Sequence, residues 1–136
     1  MKKLFLLFFG LLISCNTAGD FNITNQWFRP AVKGMNTALY FTIDNNTNQT
    51  DTLFSVKSNI AGMVQIHETF EKNRLKGMRA IEYVAVKPHT KIYFKPGGLH
   101  VMVMNLKNDY KKNSSAEFEL YFKKKGLVKI KAVAKE

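Results

Sequence analysis

Leu127-Val128-Lys129-Ile130-Lys131-Ala132-Val133 sets Val128, Ile130 and Ala132 on one side of an extended chain and Lys129 and Lys131 on the other. That period of two is the mark of a half-buried β-strand. It recurs upstream in Phe21-Asn22-Ile23, Ala38 to Ile43, Met63 to Ile66, Ile81 to Val86, Lys91 to Phe94, Leu99 to Leu106 and Ala116 to Phe122. Turn formers separate these runs: Pro30, Asp44 to Asn48, Pro88, Pro96-Gly97-Gly98, Asn113-Ser114-Ser115 and Gly126. No helical period persists beyond two turns, and there is neither a repeat nor a low-complexity tract. About eight short strands at this spacing predict an all-β sandwich or barrel.

One of these strands carries unusual chemistry. Leu99-His100-Val101-Met102-Val103-Met104-Asn105 projects His100, Met102 and Met104 from one face and Val101 and Val103 from the other. Residues two apart on a strand lie within about 7 Å, so His100 and Met102 can share one ion. His67, after Val64 and Ile66, points away from that hydrophobic row. Met78, in Gly77-Met78-Arg79, is expected in a loop that brings it over a strand end. Met104 is expected to pack below Met102, and Met63 and Met35 have no spacing argument behind them. Trp27 is expected in the core, as a tryptophan of a small sandwich usually is. His89, after Pro88, reads as an exposed turn residue, and Glu68 faces the opposite way from its neighbour His67. Gly97 and Gly98 are expected to permit the tight turn that aims His100.

The start of the chain speaks to compartment. Lys2 and Lys3 precede the apolar runs Leu4 to Phe9 and Leu11 to Ile13, which are together too short for the roughly 20 residues of a membrane span and read as a signal peptide. Leu12-Ile13-Ser14-Cys15 resembles a bacterial lipobox, which makes Cys15 the lipidated first residue of the mature protein. The expected organisation is a signal peptide over 1–14, an anchor and short linker over 15–20, and one domain over 21–136. Loss of Lys2 and Lys3 lowers the net charge of +11 by two and leaves the domain strongly basic. Outside the cytoplasm that charge points to anionic lipid or an acidic partner rather than to nucleic acid. Lys111, Lys112, Lys123, Lys124, Lys125, Lys129 and Lys131 are read as a solvated strand edge. The chain has one cysteine; with Cys15 lipidated, a disulfide framework, a thiol nucleophile, a thiolate metal site and a blue-copper centre are all excluded.

His67, ten residues, Met78, twenty-one residues, His100, one residue and Met102 match the H-x10-M-x21-H-x-M signature, and on it the chain is identified as resembling periplasmic copper chaperones of the PCu(A)C type. The resemblance runs through Trp27-Phe28-Arg29, Ala38-Leu39-Tyr40, Ile66-His67-Glu68-Thr69, Gly77-Met78-Arg79 and Lys95 to Met104. It departs at Lys76, where many members carry an additional methionine. It implies a cupredoxin-like Greek-key β-sandwich that holds one Cu(I) ion with His67, Met78, His100 and Met102, near the surface at strand ends and loops. It also implies a periplasmic protein that is not an enzyme and hands copper to an accepting protein, such as the Cu-A centre of a terminal oxidase; with the lipobox at Cys15, the expected protein is a membrane-anchored lipoprotein. The donor types agree: thioether sulfur is soft and selects Cu(I), and protonation of the imidazoles should weaken binding below about pH 6.5. The competing class is a structural or adhesive surface lipoprotein with no metal role. A hydrolase is disfavoured because no Ser-His-Asp spacing or zinc-type cluster stands out.

Overall fold

A computed structural model describes residues 19–136. The signal peptide, Cys15 and linker residues 16–18 lie outside the described residues. Among the described residues ten strands follow one another: β1 (Phe21–Phe28), β2 (Thr37–Asn45), β3 (Asp51–Lys57), β4 (Ala61–Lys72), β5 (Leu75–Ala80), β6 (Val84–Val86), β7 (Thr90–Phe94), β8 (His100–Leu106), β9 (Ser115–Phe122) and β10 (Gly126–Ala134). The class is all-β, as the alternation predicts. The two additional strands are β3 and β5, whose sequences Asp-Thr-Leu-Phe-Ser-Val-Lys and Leu-Lys-Gly-Met-Arg-Ala carry little or no clean period. Among the described residues no helix is long and apolar enough to cross a membrane.

The strands bond in the order β5-β4-β8-β2-β1-β10-β9-β3-β6, with β7 also on β2. The path curls over so that β3 packs on β4 and β6 on β7, which makes a sandwich. Every strand pairing is antiparallel except β1 with β10. One flank of β2 is shared, with Thr37–Leu39 bonding to β8 and Phe41–Asn45 to β7. The inward rows meet in a single core in which Phe28, Leu39, Ile43, Leu53, Val101, Val103, Phe118 and Leu120 have no exposed surface. Each such side chain contributes roughly 1.5–3 kcal/mol on burial.

Two local expectations are corrected here. Trp27 is not core: the register of β1 on β2 slips between Thr24 and Trp27, where Asn25 adopts φ 55°. This bulge re-phases the alternation, so Phe28 turns inward and Trp27 turns out to pack against Tyr40, the ring centres 4.6 Å apart and the planes tilted by 39°. The lysine-rich C-terminal strand is not an edge either, because β10 lies between β1 and β9. Lys129 and Lys131 instead occupy its solvated face, directly opposite Glu119 and Glu117, where opposite charges across strands are mildly stabilising.

Candidate metal centre

The site is written in the register of β4, β8 and β5. His67 of β4 is the direct partner of His100 of β8, and Gln65 is the partner of Met102. On the other flank of β4, Thr69 is the partner of Met78 in β5. Directly opposed residues share a face, so His67, Met78, His100 and Met102 all project from the side opposite to Ile66, Val101 and Val103. The structure therefore brings the four expected residues to one patch. It corrects the setting of Met78, however, which stands in the ladder of a strand rather than in a loop. Met78 belongs to an edge strand, because β5 pairs with β4 through Lys72↔Leu75 and the hairpin turn Asn73-Arg74 has both φ values positive, at 52° and 65°.

Hydrogen bonds aim the two rings. His100 Nδ1 lies 3.0 Å from the carbonyl oxygen of Gly98, which fixes the Nδ1–H tautomer and leaves Nε2 as the lone pair. The same carbonyl accepts a bond from Thr69 Oγ1 at 3.1 Å, tying the Pro96–Gly98 turn to β4. Gly97, at φ 79°, makes that turn possible. His67 Nε2 lies 3.1 Å from Gln65 Oε1, which leaves Nδ1 as its lone pair. The rings are 5.6 Å apart, centre to centre. His67 Nδ1 and His100 Nε2 are both buried and have no hydrogen-bond partner.

An unpartnered buried polar atom costs about 1–3 kcal/mol, and two of them facing one patch need a reason. A cation accepting both lone pairs would satisfy them. Burial, and then the charge of nearby His100, lowers the pKa of His67, so the ring stays neutral and able to ligate.

The two thioethers stand on the same face as the imidazoles but at different depths. Met102 is half-buried, whereas Met78 is 58% exposed at the sheet edge. Met78, Met102 and His100 line a common cleft of 520 Å³ together with Arg29, Thr37 and Tyr40. His67 is not part of that lining and stands beside it, its ring next to that of His100. Among the described residues no group of three or more His, Cys, Asp and Glu could hold a metal.

Sequence reasoning left Arg29 out of the site, together with Trp27, and missed Tyr40; both Arg29 and Tyr40 line this cleft. The Arg29 guanidinium lies 5.8 Å over the Tyr40 ring, and its backbone oxygen accepts a bond from Thr37 Oγ1 at 2.6 Å. The spacing of Trp27 and Arg29, two apart on an extended chain, could have placed those two on one face, whereas Tyr40 joins them only through its pairing with Trp27 across β1 and β2. Glu68 plays no part in aiming His67: it accepts a bond from Arg79 Nε at 2.6 Å. His89 is the exposed turn residue expected of it, at φ 55°.

The family model described as "Putative lipoprotein LpqE-like" matches residues 21–134. An uncharacterized protein of Rickettsia prowazekii (strain Madrid E) is 31% identical over 106 residues, covering 74% of this chain and 58% of that protein. A "Putative lipoprotein" of Leifsonia xyli subsp. xyli is 30% identical over 91 residues, covering 66% of this chain and 54% of that protein. The chain thus spans little more than half the length of these curated relatives. Among solved structures, the copper-bound PCuAC domain from PmoF2 superposes with a TM-score of 0.72 at 26% identity, over 87% of this chain and 94% of that domain. The apo PCuAC domain from PmoF1 gives 0.71 at 28% identity, over 87% and 95%. The Cu(I) form of DR1885 from Deinococcus radiodurans shares the fold, with a TM-score of 0.66 at 20% identity over 90% and 83%. With its whole strand-bearing region matched by one family model and the same sandwich found in PCuAC domains, the chain belongs to the LpqE-like family.

Proposed function

We propose that this protein is an extracytoplasmic copper carrier that binds Cu(I) through His67 Nδ1, His100 Nε2 and the sulfurs of Met78 and Met102. The observation that carries the reading is the pair of buried, unpartnered imidazole nitrogens on directly opposed strands. Two thioethers stand on the same face, and soft neutral sulfur favours Cu(I) over Zn(II) or Cu(II). The likeness to a copper-bound PCuAC domain supports the same ion.

Release to a partner follows from the unequal burial of the ligands. Met78 is exposed on an edge strand, so its sulfur can be displaced first by an incoming ligand while the histidines keep hold. Copper then changes hands by ligand exchange, with no change of oxidation state. The acceptor we favour is the Cu-A centre of a terminal oxidase. Lipidation at Cys15 would hold the carrier at a membrane face in the periplasm, a location that the lipoprotein description of the family supports.

Anaerobic Cu(I) titration with X-ray absorption tests the assignment. The first equivalent should bind stoichiometrically with mixed nitrogen and sulfur scattering, and His100→Ala should abolish that uptake. Oxygen and nitrogen scattering alone, or uptake unaffected by His100→Ala, would overturn it, and absence of stoichiometric uptake would favour a structural lipoprotein.

A further inference from the structure

The sheet face that carries the histidines continues beyond them. Along β4 the outward residues run Met63, Gln65, His67, and along β8 they run Met104, Met102, His100. Met63 is the direct partner of Met104 across the two strands. Directly opposed side chains have Cβ atoms about 4.5–5.5 Å apart, well within the span of two thioether arms meeting at one ion. Successive rows on one face are about 7 Å apart, so the Met63 and Met104 row lies one step from Met102 and two from the histidines.

Packing accounts poorly for Met63. It is 53% exposed and sits on the face away from the core row of Val64 and Val103. Met104 is half-buried beside Met102, as packing would have it, yet the residue it opposes is another sulfur. A cross-strand apolar pair contributes roughly 0.2–1 kcal/mol whatever its atoms, so packing alone does not call for sulfur in both members.

We propose that Met63 and Met104 form a second, weaker station for Cu(I), from which the ion exchanges with the histidine site through Met102. Two neutral thioethers suit a soft monovalent ion and offer nothing to a hard one. Without an imidazole this pair holds the ion more weakly than the histidine site does. With Met102 one row from the pair and one row from His100, its sulfur can be reached from either station. The ion crosses by replacing one sulfur with another, and it stays Cu(I) throughout. The role as a way in or out rests on the copper reading above; the binding of a soft cation by the pair does not.

The chain labelled with ¹³C at its methionine methyl groups, titrated anaerobically with Cu(I), separates the two. The first equivalent should shift the methyl signals of Met78 and Met102, and the second those of Met63 and Met104. Met63→Leu with Met104→Leu keeps the apolar bulk and removes both sulfurs. It should leave the first event intact and weaken the second by more than the roughly tenfold that loss of even an outer partner costs a metal site. Met63→Leu alone should already weaken it. Met63 and Met104 methyl signals that stay fixed through several equivalents would overturn the inference, even with the first event present. If those signals respond while Met78 and Met102 do not, the second station stands and the histidine assignment fails.

Discussion

The two histidines are held in complementary ways, and their proton chemistry follows from that. His67 is pushed below its ordinary pKa of 6.5 by burial and by the proximity of His100. Between that lowered value and 6.5 the unfolded chain takes up a proton at this position and the folded chain does not. The contribution of His67 to stability is therefore fully present above pH 6.5 and is lost as pH falls through the lowered value. The metal-free protein should show a His67 imidazole signal in NMR titration with its midpoint below 6.5, and its urea midpoint should fall on acidification through that range. A midpoint at or above 6.5 would contradict the burial described here. At this scale the sequence was informative for His100 and Met102, because a period of two on one strand assigns faces without knowledge of neighbours. It left Arg29 out of the site and was silent on Met63 and Tyr40, because their places depend on which strand lies alongside and in what register.

Strand β5 shows why one element was unreadable and why it still positions Met78. Leu75-Lys76-Gly77-Met78-Arg79-Ala80 has no apolar alternation, and nearly all of it is exposed. Its extended form is imposed by six consecutive pairings with β4 and by the tight Asn73-Arg74 turn. The expected loop at Met78 fails for that reason, since a long partner strand overrides weak local preference. Phe70 covers Gly77 from the face opposite Met78, and Arg79 lies 5.0 Å over the Phe70 ring. A Cβ at position 77 would stand 2.7 Å from Phe70 Cζ, so one of the two must move. Gly77→Ala should cost about 1–3 kcal/mol in urea unfolding, the usual cost of overpacking. It should also weaken Cu(I) binding by shifting Met78 from its place opposite Thr69. Unchanged stability together with unchanged affinity would show that β5 is free to slide. The long strands β2, β8, β9 and β10, whose inward rows are continuous, were legible because the core itself enforces their period.

Over the whole molecule, firm and yielding regions are separated in space. Asp51, only 6% exposed, accepts backbone N–H bonds from Thr52, Lys124 and Lys125 at 2.7, 2.9 and 2.8 Å, which fastens the start of β3 to the β9–β10 turn. Asn45, fully buried, donates to the carbonyls of Gln49, Val86 and Lys87 and closes the same end. Asp51→Ala strands three donors and should cost about 3 kcal/mol in chemical denaturation, without altering Cu(I) stoichiometry, because none of these groups lines the metal cleft. The opposite extreme is β5, an edge strand bonded on one side only, with exposed side chains and few apolar contacts. Such elements open with small free energies. Met78 rides on this strand while His67, His100 and Met102 stand on β4 and β8, so an ion bound by all four couples the weakest element to the interior of the sheet. A ligand that binds the closed arrangement and not the opened one stabilises it by mass action. Amide hydrogen exchange should therefore slow on Cu(I) binding across Leu75–Ala80, and Met78→Ala should remove most of that slowing while leaving the copper-dependent protection of β8 in place. Equal protection in the wild type and Met78→Ala would mean that the edge strand is not carried by its sulfur.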